Sequence, residues 1–383
     1  MTAIEDLKDR IPTTPAFLVD ENAILSALDS LAALREKCGC KVLYSIKSLP
    51  LTEVMRLAKP YVDGFSVSSL FEARLANEVL TGQGGIHLCT PGIRPDDMTE
   101  LATLCTHISC NSIRQIRHFE SIGDKTASIG LRVNPRLSFT EDARYDPCRQ
   151  FSKLGVDMDS FLDAGLLNCA KGLHFHTIFG AVNYTPLMQT LHKIEAFLSP
   201  HLSKLDWLNF GGGYLYDQIE NNDDFCEQVI RLRVDYDLDV FIEPGNALVG
   251  KAGYLVATVI DCFQSDGKTI AVLDTSINHL PEVFEYQRQP PLLEQHPNGG
   301  YSALLAGSTC LSGDLFGEYR FNRPLEIGDR LTFNQAGAYS LVKANRFNGY
   351  NLPDIYAVRN EQIRLLKHHT YQEYRQLWVN DFE

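Results

Sequence analysis

Val42-Leu43-Tyr44-Ser45-Ile46-Lys47 is a short, mostly apolar run that ends in a lysine, and the helical pattern Leu51–Ala58 follows it. A short run of β-favouring residues followed by a segment of period 3.6 reads as one strand–helix unit. The same kind of run recurs at Gly64–Ser69, Ile86–Cys89, His107–Asn111, Ser128–Asn134, Gly172–Thr177, Trp207–Gly213 and Leu238–Gly245. Helical patterns lie between them at Leu70–Leu80, Asp96–Leu104, Ser112–Ser121, Thr185–Leu198 and Asp223–Tyr236. Strand–helix alternation implies parallel pairing, and eight such units predict a closed (β/α)8 TIM barrel of the α/β class. The polar insertion Pro135–Phe151, between the fifth and sixth runs, is expected to form a loop over the barrel mouth.

After about residue 250 the pattern changes. Tyr254–Phe263, Thr269–Leu273, Arg330–Phe333 and Ala338–Leu341 look like strands, separated by Gly, Pro and Asn turns rather than long helices. Thr14–Asp20 is one more strand, expected to pair with this β-rich part. The 383 residues exceed the ~250 that one barrel uses. The reading is therefore a barrel over 21–250 and a β-rich C-terminal domain built from 1–20 and 251–383.

Composition narrows the class of function. Hydrophobic residues make up 44% and charged residues 22%, the balance of a globular chain. The net charge of −13 argues against binding a nucleic-acid backbone and is compatible with a cationic small molecule. No apolar run reaches the ~18 residues of a membrane span, so no membrane contact is expected. The charged N-terminus MTAIEDLKDR lacks a signal core, and the expectation is a cytoplasmic protein. The ten cysteines form no CxxC pair, their nearest spacing being Cys38-Gly39-Cys40, which fits reduced, mostly buried thiols.

Polar residues cluster where the strand runs end, the place where barrels keep their chemistry. Lys47, flanked by apolar residues, is expected to be desolvated and to offer an amine nucleophile, or else to be a strand-end lysine reaching solvent. His174-Phe175-His176 puts two histidines on one face of a strand. They read as a metal pair, as satisfied core histidines, or as an aromatic platform for a cofactor ring. No matching set of further ligands accompanies them, so no metal site is assigned. Gly211-Gly212-Gly213 suits a phosphate cradle or a tight turn. Glu243, in Glu243-Pro244-Gly245-Asn246, suits a partner for a protonated ring nitrogen or a rim salt bridge. In the β-rich part, Cys310 and Asp314 lie four residues apart on a Gly/Ser-rich loop, and Tyr339 offers a phenol on a strand. Taken together, an amine nucleophile, a ring-stacking histidine, a phosphate-binding glycine turn and a carboxylate for a pyridinium nitrogen are what pyridoxal 5'-phosphate requires.

The ordered set Lys47, His176, Gly211–Gly213, Glu243-Pro244-Gly245, Cys310 with Asp314, and Gly337-Ala338-Tyr339 resembles the alanine racemase-like, fold type III pyridoxal-phosphate decarboxylases. Ornithine, arginine and diaminopimelate decarboxylases belong to that family, and the resemblance spans nearly the whole chain. Four segments resemble its carboxynorspermidine/carboxyspermidine branch: Tyr145–Cys148 with Phe151–Gly155; Leu273–Ser276 with His279–Val283; Thr309–Asp314; and Phe347–Gly349 before Leu352–Asp354.

The resemblance implies roles. Lys47 forms the Schiff base, His176 stacks on the cofactor ring, and Glu243 pairs with its nitrogen. Gly211, Gly212, Gly213 and Tyr339 hold the phosphate, and Arg132, Gly245 and Asn246 lie at the cofactor. Cys310 and Asp314 come from the neighbouring subunit of a homodimer with shared sites, Cys310 as proton donor and Asp314 as contact for a substrate amine. Asp274, Glu282 and Glu285 are candidates for the distal ammonium groups of a cationic amine substrate. The implied activity is decarboxylation of carboxynorspermidine or carboxyspermidine in polyamine biosynthesis.

Departures mark where specificity is open. Asn246 stands where related enzymes mostly carry an arginine, Thr177–Gly180 lacks the expected polar, acidic character, and Val342–Arg346 is altered. The alternatives are a related decarboxylase acting on diaminopimelate or a siderophore-type precursor, a non-enzymatic cofactor carrier, and, most distantly, a metal-dependent hydrolase.

Overall fold

Trp207 explains two glycines of the barrel. A Cβ on Gly172 would lie 2.0 Å from the indole, and one on Gly130 would lie 2.4 Å from it. Glycine at both positions makes room for a fully buried tryptophan whose Nε1 donates to Ser128 Oγ at 2.9 Å. Leu43, Trp207 and Phe241 form one buried cluster from three different strands.

The computed structural model describes residues 4–163 and 169–380. The strands in chain order are β1 (Ala16–Asp20), β2 (Lys41–Ser45), β3 (Gly64–Val67), β4 (Gly85–Cys89), β5 (His107–Cys110), β6 (Ser128–Asn134), β7 (Val156–Asp157), β8 (Gly172–His174), β9 (Trp207–Asn209) and β10 (Asp239–Ile242). They continue with β11 (Gly253–Ser265), β12 (Lys268–Leu273), β13 (Tyr301–Ala306), β14 (Leu315–Phe321), β15 (Arg330–Phe333), β16 (Asp354–Arg359) and β17 (Gln362–Lys367).

Strands β2 to β6 and β8 to β10 pair in parallel in the order β5-β4-β3-β2-β10-β9-β8-β6, and β6 pairs back onto β5. That closes the predicted eight-stranded barrel. Its strands are buried along most of their length, as strands covered on both faces must be. Several helices start at caps written in the sequence. Ser69 Oγ accepts the Glu72 N–H at 3.2 Å while Glu72 Oε2 accepts the Ser68 N–H at 2.7 Å, which opens the helix Leu70–Leu80. Ser112 caps Ile113–Ser121 in the same way. The chain divides into two units, Leu25–Leu248, which holds the barrel, and Met1–Ile24 with Val249–Glu383.

The second unit is a mixed sheet in the order β14-β13-β12-β11-β1-β16-β17, with β15 also on β11. The expected N-terminal strand is there: β1 runs antiparallel to β11 and parallel to β16. Ala16, Leu18, Val256 and Tyr356 pack around it with Ile11. One expected strand is not a strand. Ala338–Leu341 is a turn that leads into the short helix Ser340–Lys343, with Tyr339 at φ +67°. Among the described residues no helix is long and apolar enough to cross a membrane.

Candidate active site

The chemistry-bearing residues of the barrel sit where its strands end. β2 gives way to a 3-10 turn, Ile46–Ser48, which buries Ile46 and Ser48 and leaves Lys47 exposed. Of the two readings of Lys47, the strand-end lysine reaching solvent describes this structure, and the desolvated one does not. Ser48 Oγ donates to Ser45 O at 2.8 Å, and the Ser45 N–H donates to Pro244 O at 2.9 Å. A Cβ on Gly245 would lie 3.3 Å from the side chains of both serines, so Gly245 lies directly against the Lys47 turn.

β8 ends at His174, and the chain then leaves the sheet through Phe175 and His176. His176 Nδ1 accepts the Gly212 N–H at 3.1 Å. His174 is buried, both of its ring nitrogens lack a hydrogen-bond partner, and its Nε2 lies 4.0 Å from Glu243 Oε2. Burial drives both histidines well below their ordinary pKa, and Arg132 and Lys47 add to the effect. Arg132, buried on β6, reaches Cys89 Sγ at 3.7 Å. The barrel mouth therefore carries neutral imidazoles in a positive field.

β9 ends at Asn209, which joins the glycine turn to the carboxylate. Asn209 Nδ2 donates to Glu243 Oε1 at 2.8 Å, and its Oδ1 accepts the Gly211 N–H at 2.8 Å. Gly211 and Gly213 take φ of +68° and +98°, and a Cβ on Gly212 would meet Glu243 O at 2.4 Å. The triple glycine is thus required by backbone shape and close packing. Asn246 begins the four-residue helix Asn246–Val249 and is partly exposed.

The insertion after β6 contains no strand or helix until β7. Asp146 braces it, accepting from Ser138 Oγ and from the Cys148 N–H at 2.8 Å. Cys148 Sγ in turn reaches His176 O at 3.9 Å, and Tyr145 stacks on Phe179 with centroids 6.1 Å apart.

In the sheet unit, Cys310 is exposed on the loop between β13 and β14, and its N–H donates to Asn348 Oδ1 at 2.8 Å. Tyr339 lies under Lys343, whose Nζ is 5.6 Å from the ring centroid. Glu282 accepts from Ser340 Oγ at 2.7 Å through Oε1, while its buried Oε2 has no partner. Glu285 pairs with Lys343 at 2.5 Å.

Two expected substrate contacts do not fit their surroundings. Asp314 is 2% exposed, and its oxygens accept the Ile277 N–H at 2.8 Å, the Thr309 N–H at 3.0 Å and the Thr309 hydroxyl at 2.5 Å. Asp274 accepts the Thr258 N–H at 2.8 Å and the Thr14 hydroxyl at 2.5 Å. Both carboxylates are consumed in holding the sheet unit's loops. Sequence reasoning missed Asn209. Its signal was available, an asparagine closing an apolar strand two residues before Gly211.

A family model for the pyridoxal-dependent decarboxylases, described as their C-terminal sheet domain, matches residues 20–337. A carboxynorspermidine/carboxyspermidine decarboxylase of Campylobacter jejuni is 31% identical over 380 residues, covering 94% of this chain and 97% of that one. A carboxyaminopropylagmatine decarboxylase of Synechocystis is 32% identical, with 94% of each chain covered. The crystal structure of a C. jejuni carboxynorspermidine decarboxylase complexed with norspermidine superposes with a TM-score of 0.86 at 29% identity, covering 96% of this chain and all of that one. The chain belongs to the pyridoxal-dependent decarboxylases, carboxy-lyases of the alanine racemase-like fold that use pyridoxal 5'-phosphate.

Proposed function

We propose that the protein decarboxylates carboxynorspermidine or carboxyspermidine, releasing norspermidine or spermidine. The observation that carries this reading is the 31% identity, spread over 94% of the chain, with an enzyme of that name. The unpartnered, buried Oε2 of Glu282 supports it, because a half-satisfied carboxylate favours an ammonium group over a second carboxylate.

The barrel residues fit the cofactor on two counts. The positive field of Arg132 and Lys47, which helps keep His174 and His176 neutral, suits a phosphate monoester. Glu243 commits Oε1 to Asn209 and leaves Oε2 4.0 Å from His174, so it retains an acceptor for a ring N–H. When bound, pyridoxal phosphate supplies an electron sink for the pair left by departing carbon dioxide.

In this reading Lys47 holds the cofactor through its amine, His176 packs on the ring face, and Glu243 keeps a proton on the ring nitrogen. Gly211–Gly213, Gly245, Asn246, Arg132 and Tyr339 serve the phosphate end. Cys310 delivers the proton to the product carbon, and Glu282 takes a distal ammonium. The sheet unit would serve the barrel of a second copy, giving a homodimer with shared sites in the cytoplasm.

The test is carbon dioxide release from carboxynorspermidine, carboxyspermidine, carboxyaminopropylagmatine and diaminopimelate, compared by kcat/KM. The first two are expected to be preferred, and activity confined to diaminopimelate would overturn the assignment. An absorbance band removed by borohydride and lost in Lys47→Ala checks the role of Lys47.

A further inference from the structure

Two short helices of the sheet unit, Glu282–Tyr286 and Ser340–Lys343, meet through two side-chain links. Ser340 Oγ donates to Glu282 Oε1 at 2.7 Å, and Lys343 Nζ donates to Glu285 Oε2 at 2.5 Å. Glu282 and Glu285 stand three positions apart, and so do Ser340 and Lys343. That spacing sets side chains beside one another on a helix. The two carboxylates are treated differently. Glu282 receives a hydroxyl and keeps an oxygen without a partner, whereas Glu285 receives a full positive charge.

Lys343 has more than a carboxylate around it. Its Nζ lies 5.6 Å from the ring centroid of Tyr339 and 5.9 Å from that of Tyr286. Both distances fall within the ~6 Å over which the negative face of an aromatic ring attracts a cation. One carboxylate and two ring faces are what a protein offers to a protonated alkylamine, and here a lysine of the same chain fills that position. The side chains of Lys343 and Glu285 are 37% and 40% exposed, so solutes reach the pair and the pair itself is weak. Burial raises the pKa of Glu282, and Lys343 is near enough to oppose that rise.

We propose that Lys343 is a specificity-determining residue, a tethered ammonium group that fills the second of two amine subsites on the helix Glu282–Tyr286. The inference rests on the reading above, in which Glu282 takes a distal ammonium of the substrate. Carboxynorspermidine and carboxyspermidine each carry two distal nitrogens, separated by three or four methylene groups. Two carboxylates one helical turn apart could hold one nitrogen each. Lys343 withdraws Glu285 from that pairing, because it cancels the carboxylate charge and repels a second ammonium from the two rings. The enzyme then grips one distal nitrogen and leaves the other in water. Its discrimination between amines with one and with two distal nitrogens is lowered accordingly.

The experiment is isothermal titration calorimetry of norspermidine and of 1,3-diaminopropane into the full-length holoenzyme. When one end occupies the place of the reacting amine, norspermidine presents two distal nitrogens and 1,3-diaminopropane one. Lys343→Met keeps the length of the side chain and removes its charge. Norspermidine should bind this variant about tenfold more tightly, the worth of an exposed carboxylate and two ring faces. The affinity for 1,3-diaminopropane should stay as it was. Lys343→Gln, also neutral, carries the same expectation, and Lys343→Arg should keep the wild-type ratio of the two amines. Adding Glu285→Gln to Lys343→Met should abolish the gain.

A purely structural ion pair gives the opposite sign, since its loss weakens binding of both amines or of neither. Norspermidine that binds folded Lys343→Met no more tightly than wild type would overturn the proposal. So would a gain that persists in the double mutant. The carbon dioxide assay judges the substrate separately: an enzyme confined to diaminopimelate fails there, whereas the role of Lys343 fails in the calorimetry.

Discussion

Asn209 donates from Nδ2 to Glu243 Oε1 at 2.8 Å, and both side chains are buried at the ends of neighbouring parallel strands. One amide thus fixes the carboxylate, while its oxygen fixes the start of the glycine turn. Asn209→Ala would strand a buried carboxylate oxygen and a backbone N–H together. A loss of about 1–3 kcal/mol in urea unfolding is expected, with weaker binding of pyridoxal phosphate by spectroscopic titration.

Gly172 is the tightest point of the Trp207 pocket. Gly172→Ala places a methyl group 2.0 Å from the indole and must push either the strand or the ring aside. The expected cost is about 1–3 kcal/mol or more. Adding Trp207→Phe should recover part of it in the double mutant, which unfolding by denaturant would measure.

His279 predicts how the sheet unit responds to acid. Burial lowers its pKa from 6.5 to about 4, partly opposed by Asp314. Its Nδ1 lies 2.8 Å from Thr275 Oγ1. A base whose folded pKa is depressed leaves the unfolded chain binding more protons between those two values. Stability is therefore full above pH 6.5 and falls as pH drops toward 4, by on the order of 3 kcal/mol from this one group. Urea unfolding across that range should show the fall, and His279→Asn should flatten it.

Asp314 is predicted to act through the Cys310 loop. Asp314→Asn exchanges an acceptor-only carboxylate for an amide that cannot satisfy the Ile277 N–H and both Thr309 donors at once. A loss of about 1–3 kcal/mol of loop stability is expected, which is roughly 5- to 150-fold in the population of the ordered loop. Iodoacetamide should modify Cys310 faster, and kcat should fall more than KM rises.

The sequence announced the barrel more clearly than the sheet. Barrel strands are covered on both faces, so Gly64–Val67 or Ser128–Asn134 stand out as apolar runs, and the lysine, histidine and glutamate that close such runs stand out in turn. Some of the sheet unit's strands, β14 and β17 among them, alternate with solvent or face it. Gln362–Lys367 is exposed at most positions, and Tyr301–Ala306 carries the composition of a helix, so neither read as a strand. Ala338–Leu341 looked apolar enough for one, but Tyr339 adopts a left-handed backbone that a strand cannot contain. Asp314 and Asp274 read as substrate ligands because a carboxylate in a sequence carries no mark of the backbone and hydroxyl donors that the fold brings to it.

The Gly212 N–H on His176 Nδ1 settles where that ring keeps its proton. A neutral imidazole that accepts at Nδ1 must carry its hydrogen on Nε2, and its single lone pair is then engaged. His176 in this state has no free lone pair with which to take a substrate's proton or to ligate a metal. Acid–base traffic must run through other groups, and the imidazole is left to offer its face and one N–H.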